Sequence, residues 1–303
     1  MAASRRFRSV VAILATVSAA NVPPASTEPR TAPAAAPASV DPDAWRFDVT
    51  VYGWLISASG STTARGQTVS YNAGFPQLVQ DSDSLAAWMS YFEAGKGKLA
   101  FYTDFVWTKL GFTNSTAHYA NPLGGLQLST VSTRNATLQM TIVESGALYE
   151  VGRWSNGGSG LTTLDGLLGF RLWNTQADLW FDRTNTADFS RLGFEVNRSF
   201  AIAHTGGLTW VDPVVGLRLR HSFTPQQQVM VRGDVGGFGL QSTFAWQAIA
   251  GYSYQWPFEG GGSMAVTLAY RALSTNYSTG SGLDTRGLDI LMHGPVIGLS
   301  LRF

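Results

Sequence analysis

The sequence predicts an all-β protein, a single up-and-down antiparallel transmembrane barrel of about ten strands (range eight to twelve). Three observations carry that reading. Apolar and polar residues alternate with period two over segments of ten residues or more, long enough to cross a bilayer at a tilt. Charged residues make up only 14% and aromatics reach 12%, against ~25% charged in an ordinary soluble domain. Even so, no run approaches the ~20 consecutive apolar residues that a membrane helix needs. Finally, the connections between alternating segments are by turns long and short, as expected where one rim carries tight turns and the other carries loops.

The elements follow in order. Arg5, Arg6 and Arg8 precede "SVVAILATVSAA" (9–20), a short apolar stretch ending in small residues, with Val17-Ser18-Ala19 suiting cleavage. Residues 1–20 are therefore expected to be an export signal peptide, too short to anchor. Residues 21–44 are Pro/Ala-rich and expected to be a disordered leader, which leaves 45–303 for the barrel. "WRFDVTVYGWLIS" places Trp45, Phe47, Val49, Val51 and Leu55 on one face, with Arg46, Asp48, Thr50 and Tyr52 on the other. A strand at 84–95 turns at Gly95-Lys96-Gly97 into 99–110, with Leu99, Phe101, Phe105 and Trp107 outward. A strand ending near Trp154 returns as 161–173, and further strands are expected at 209–223, 228–238, 243–256, 263–276 and 288–303. The polar stretches 111–129 and 183–208 read as long loops. Residues 65–73 and 190–203 read as two further strands or as hairpins outside the membrane, and 75–83 as one helical turn.

Lipid offers no hydrogen-bond partner to the backbone, so strands cross it only as a sheet without open edges. The lipid face must be apolar, with aromatics at both interfaces. "FAWQAIAGYSYQW" (244–256) fits: Phe244, Trp246, Tyr252, Tyr254 and Trp256 bracket Ala248 and Ala250 on one face. In "TWVDPVVGLRLRHSF" (209–223), Val211, Val215, Leu217 and Leu219 are expected to face lipid. Asp212, Arg218 and Arg220 then face the lumen.

The same phase elsewhere sends Glu93, Asp104, Glu144, Glu150, Asp165 and Arg171 inward on the strands between 84 and 173. Arg232, Asp234, Arg271 and Arg302 point inward on later strands. One wall is then mostly acidic and the opposite wall mostly basic. Two functions follow from that pattern. The charges pair across a modest lumen and plug it, since ~8 strands just hold side chains and buried charges must pair. Alternatively, opposed walls line a narrow pore for small polar or ionic solutes. A structural or surface-binding barrel working through 58–83, 111–129 and 183–208 is a third reading.

Other chemistry finds little support. Cysteine is absent, which excludes disulfides and thiolate catalysis. Net charge is +1, so no nucleic-acid footprint is present. His118 and His204 fall in expected loops, and His221 and His293 on the lipid phase near strand ends. They form no metal-spaced cluster and neighbour no nucleophile motif. No metal, cofactor or catalytic residue is expected, and a lipid-modifying enzyme is the remotest alternative.

Phe303 closes the chain behind Ile297, Leu299 and Leu301 at alternating positions. This resembles the C-terminal signal read by the outer-membrane assembly machinery. The stretches "WVDPVVGLR", "RGDVGGFG", "FAWQAIAGYSYQW" and "MHGPVIGLSLRF" resemble a family of small, porin-like bacterial outer-membrane barrels. The hairpin "YFEAGKGKLAFYTDF" (91–105) resembles it too. The resemblance implies residence in the outer membrane of a Gram-negative bacterium, contact with its lipid, and termini on the periplasmic side. It implies no substrate and no site residue.

Overall fold

The computed structural model describes residues 44–303, apart from 65–66, 124–125, 156, 158–159, 190–193 and 260. For 64, 67, 69, 114–123, 126–136, 179–189 and 194–205 it describes the backbone alone. The expected signal peptide, and the leader up to residue 43, lie outside the described residues.

Twelve strands follow one another: β1 (Arg46–Trp54), β2 (Ser57–Ala64), β3 (Gln67–Ala73), β4 (Ser84–Lys96), β5 (Leu99–Leu123) and β6 (Leu126–Ser155). Then come β7 (Leu161–Phe189), β8 (Phe194–Ser222), β9 (Gln227–Gly236), β10 (Ser242–Pro257), β11 (Ser263–Thr279) and β12 (Arg286–Arg302). A seven-residue helix α1 (Phe75–Asp81) joins β3 to β4, with a proline in its first turn, where the missing N–H costs nothing. Ten strands, β1 and β4 to β12, form one antiparallel sheet that closes on itself through β1 and β12. The closing seam runs from Asp48↔Arg302 to Trp54↔Val296. At its rim, Phe47 and Phe303 each donate a backbone N–H to the other's carbonyl, at 3.0 Å both ways.

The side chains follow the period-two pattern. Along β8, Val211, Val215, Leu217 and Leu219 are exposed, while Asp212, Val214 and Arg218 between them are buried. Phe244, Tyr252 and Trp256 are exposed on β10, and Ile297, Leu299 and Leu301 on β12. Apolar side chains outside and charged ones inside is the arrangement a bilayer requires.

The structure corrects the reading of the long polar stretches. β5 to β8 run 25, 30, 29 and 29 residues, where ~9–11 suffice to cross a bilayer. The surplus lies at the end away from the termini. Residues 111–123 with 126–129, and 183–189 with 194–208, therefore belong to paired strands, not loops, with register running out to His118↔Thr130 and Phe189↔Phe194. Their Thr, Ser and Asn content suggests a loop by polarity, but β-branched Thr and Val also suit a solvated sheet. β2 and β3 pair with each other, with β2 on the outer end of β12, and are not extra crossing strands.

Candidate functional site

In a paired sheet, residues in register point to the same side, so inward positions on adjacent strands line up as belts across the lumen. One belt reads Tyr91, Asp104, Glu144, Arg171, Asp212 over β4 to β8. The belt two residues outward reads Met89, Val106, Ile142, Trp173, Trp210. A belt nearer the termini runs Glu150, Asp165, Arg218, Arg232, Ile249, Arg271 from β6 to β11. Charge is thus confined to the inner and terminal levels, and an apolar layer lies above it.

The charged belts interlock. Glu144 accepts from Arg171 Nε at 2.8 Å and Nη2 at 2.6 Å, from Tyr102 Oη at 2.8 Å, and from Arg232. Asp234 accepts from Arg171 Nη2 at 2.6 Å, Arg232 Nη2 at 3.0 Å and Gln247 Nε2 at 2.9 Å. Arg271 donates to Gln247 Oε1 at 2.8 Å and Tyr52 Oη at 2.9 Å, and pairs with Asp104 at 2.8 Å. Arg218 holds Glu93 with two nitrogens and Asp165 with a third. Register sets Arg218 opposite Arg232, and like charges so placed repel. Here each turns to different carboxylates. Most of these side chains are almost wholly buried: Glu144, Arg171 and Asp234 expose at most 1%. Taking such ions out of water costs several kcal/mol each, and only full pairing offsets it. Carboxylates on β4 to β7 therefore meet guanidiniums on β7 to β11, across the lumen as well as along its wall.

Four of the charges expected inside play local parts. Asp212 accepts from Ser242 N and Oγ at 2.9 and 2.7 Å and from Trp210 Nε1 at 3.0 Å, with no arginine in contact. Glu150 binds its own neighbour Arg153 at 2.6 Å, beside a bulge between Glu150 and Gly152. Arg220 reaches Asp165 at 3.1 Å and is about one-third exposed at the terminal rim. Arg302 pairs with Asp48 at 2.8 Å across the closing seam.

Sequence reasoning missed the apolar layer and the buried tyrosines. Trp54, Met89, Val106, Ile142, Trp173, Trp210, Leu273, Ile290 and Met292 form one buried cluster. Within it the Trp173 and Trp210 rings stack at 5.4 Å, and the half-buried Tyr277 packs on Trp210 at 4.3 Å. The same period-two phase places Trp173 inward two residues from Arg171, so counting aromatics along with charges would have found it. The belt Glu93, Tyr102, Gly146, Gly169, Val214 shows how room is made. A Cβ on Gly146 would lie 2.4 Å from the Leu168 carbonyl oxygen and 3.0 Å from the Tyr102 ring. Two facing glycines let Tyr102 lie flat against the wall, under the Arg232 guanidinium at 4.9 Å.

Of the histidines, His221 Nδ1 lies 2.8 Å from Thr162 Oγ1 and His293 Nδ1 lies 2.7 Å from Tyr270 Oη. The side chains of His118 and His204 are outside the described residues. Among the described residues no group of His, Asp or Glu has the arrangement of a metal site.

A closed antiparallel barrel of an even number of strands, apolar outside and ionic inside, defines a bacterial outer-membrane β-barrel protein. No protein-family model matches the chain, and no curated protein does. Among solved structures it is similar to the attachment invasion locus protein of Yersinia pestis, with 12% identity over 86% of this chain and 98% of that one, at a TM-score of 0.30. An outer-membrane channel from Pseudomonas putida F1 shows 9% identity over 88% and 98%, at 0.28. A Pseudomonas aeruginosa FadL homologue shows 10% over 86% and 89%, at 0.25. Superpositions this loose carry no argument about what the chain does.

Proposed function

We propose that this outer-membrane barrel is sealed across its lumen at rest and acts through the extended sheet it raises above the membrane. The observation that carries the reading is the double closure inside. Five arginines (Arg171, Arg218, Arg220, Arg232, Arg271) are ion-paired with Glu93, Asp104, Glu144, Asp165 and Asp234 beneath a buried aromatic layer. Ions bound this tightly to fixed partners leave no aqueous file for a solute to follow. The raised strands of β5 to β8 and the β2–β3 pair offer the exposed surface for binding. Such a barrel needs no cofactor and no catalytic residue. Phe303, exposed at the rim beside Phe47, serves as the handle for the assembly machinery, after export on a cleaved signal.

The test is conductance in a planar bilayer. The folded barrel gives no discrete steps if sealed, whereas steady ohmic steps would replace this reading with that of a narrow ionic pore. One observation favours that second reading: Arg171 Nη1, Arg220 Nε and Arg271 Nη2 are buried donors without an acceptor among the described residues, as a solute-binding lumen would keep them.

A further inference from the structure

The wall has one place where its ladder stops early. β1 and β4 pair from Arg46↔Gly95 to Val51↔Ser90 and no further. Both strands continue: β1 to Trp54 on the side of β12, and β4 out to Ser84 on the side of β5. Beyond the break β2 takes β3 as its neighbour rather than β4. The Trp54 backbone N–H, which a continued ladder would give to a carbonyl, donates instead to Met89 Sδ at 3.2 Å. A side chain thus occupies the width of a missing strand bond. Ser84 to Trp88 are all exposed, in both phases of the strand. Leu85, which shares the inward phase of Met89 and Tyr91, is 48% exposed.

Directly behind Met89 lies the apolar layer. Two of its members, Trp54 at 3% and Trp173 at 0% exposure, bury an indole Nε1 that has no acceptor among the described residues. Below Trp54 the Arg271 guanidinium sits 4.7 Å from the ring, already neutralised by Asp104 at 2.8 Å. The unmatched side-chain atoms of this layer are donors, they are set in apolar surroundings, and the nearest cation, Arg271, has its charge matched by Asp104 although its Nη2 also lacks an acceptor among the described residues. A buried donor is costly until an acceptor meets it, and an anion would find no free counter-charge. Met89 itself is unbranched with three rotatable bonds, so it can change rotamer, and doing so frees the Trp54 backbone N–H as a further donor for the incoming acceptor.

We propose that the β1–β4 seam is the mouth of a binding site for a small apolar molecule with an uncharged hydrogen-bond acceptor, such as a ketone or ester. The molecule enters past Met89 from the outer membrane interface and sets its acceptor on the indole of Trp54 or Trp173. The site lies on the outer side of the ion-paired belts and requires no passage through them, so it does not depend on whether the lumen conducts.

Benzophenone, an apolar ketone that photolabels methionine readily, is the probe. Irradiation of the refolded full-length barrel in lipid vesicles, followed by peptide mapping, should give saturable adducts on Met89 and Met292, both in the layer. Diphenylmethane, of the same shape without the carbonyl, should compete at least about tenfold less well than unlabelled phenyl benzoate, the margin of a hydrogen bond in an apolar site. Trp54→Phe and Trp173→Phe, each checked for folding by gel mobility before and after heating, keep an aromatic ring, though a smaller one, and lose the donor. At least one should raise the half-saturating concentration about fivefold. Adducts confined to Met264, which shares the outward phase of the exposed Leu268, or labelling that never saturates, would overturn the site. Equal competition by diphenylmethane, or two tryptophan variants that both label like the parent, would overturn the acceptor.

Discussion

Arg218 on β8 meets Glu93 on β4 inside the barrel, Nη1 to Oε2 at 2.5 Å and Nη2 to Oε1 at 3.0 Å, although β5, β6 and β7 stand between them in the wall. The pair is a strut across the lumen, and Arg218 Nε extends it to Asp165 at 2.9 Å. Truncating the arginine end strands Glu93 without a cation and leaves Asp165 only the rim Arg220. Arg218→Ala should therefore lose about 3–5 kcal/mol of folding free energy, read from denaturant unfolding in vesicles. Replacing the whole set, as Glu93→Leu with Asp165→Leu and Arg218→Leu, should cost less than the single change, because the one ion left without its partner, Arg220, is about one-third exposed at the rim. A triple variant weaker than the single would show that the strut itself, not its completeness, holds the barrel.

If the lumen is sealed as proposed, the belts and the apolar layer act in series. Arg218→Ala combined with Arg232→Ala is expected to lower the unfolding midpoint while the bilayer current stays silent, since Trp54, Trp173 and Trp210 still close the lumen above. Single-channel recording alongside thermal melting separates this from a pore, in which the same change would raise conductance and leave stability nearly unaltered.

The outer face sets a depth-dependent cost for charge. Leu217, exposed five residues from the terminal end of β8 and so near the middle of the ~9–11 residues that cross the bilayer, should lose about 2–4 kcal/mol as Leu217→Arg. Leu301, a residue before the rim arginine on β12, should lose about 0–1 kcal/mol as Leu301→Arg. Refolding titrations in vesicles measure both.

Gly146 and Gly169 face each other in register beside Tyr102. A Cβ on Gly169 would lie 2.4 Å from the Ser145 carbonyl oxygen. The backbone itself is the obstacle, so no side-chain movement relieves it. Gly169→Val should stall assembly, seen as a band whose gel mobility no longer changes on heating, while Gly206→Val, with open space around it, should assemble normally.

Much of this was legible in the sequence because lipid imposes a strict rule. In "WVDPVVGLRLR" every second residue is apolar, and nothing but a two-sided sheet explains Leu217 and Leu219 flanking Arg218. The closing strand was equally plain in Ile297, Leu299, Leu301 and Phe303. Partners inside the lumen were not legible, because they depend on register between strands far apart in the chain. Asp212 illustrates this: it sits opposite Arg171 in the ladder, yet its carboxylate turns to Ser242 and Trp210. The raised ends of β5 to β8 were misread for another reason. Outside the membrane both faces of a sheet are wet, the alternation fades, and strand and loop look alike.

The account rests on which side of the wall each residue occupies, and the chain has no native cysteine, so single cysteines can be placed cleanly. Nitroxide labels at successive positions from 211 to 219, in the barrel refolded into vesicles, report contact with lipid through oxygen-enhanced spin relaxation. The account predicts high oxygen contact at the odd positions 211 to 219 and low contact at 212, 214, 216 and 218. High contact at the even positions, or none of the alternation, would contradict it.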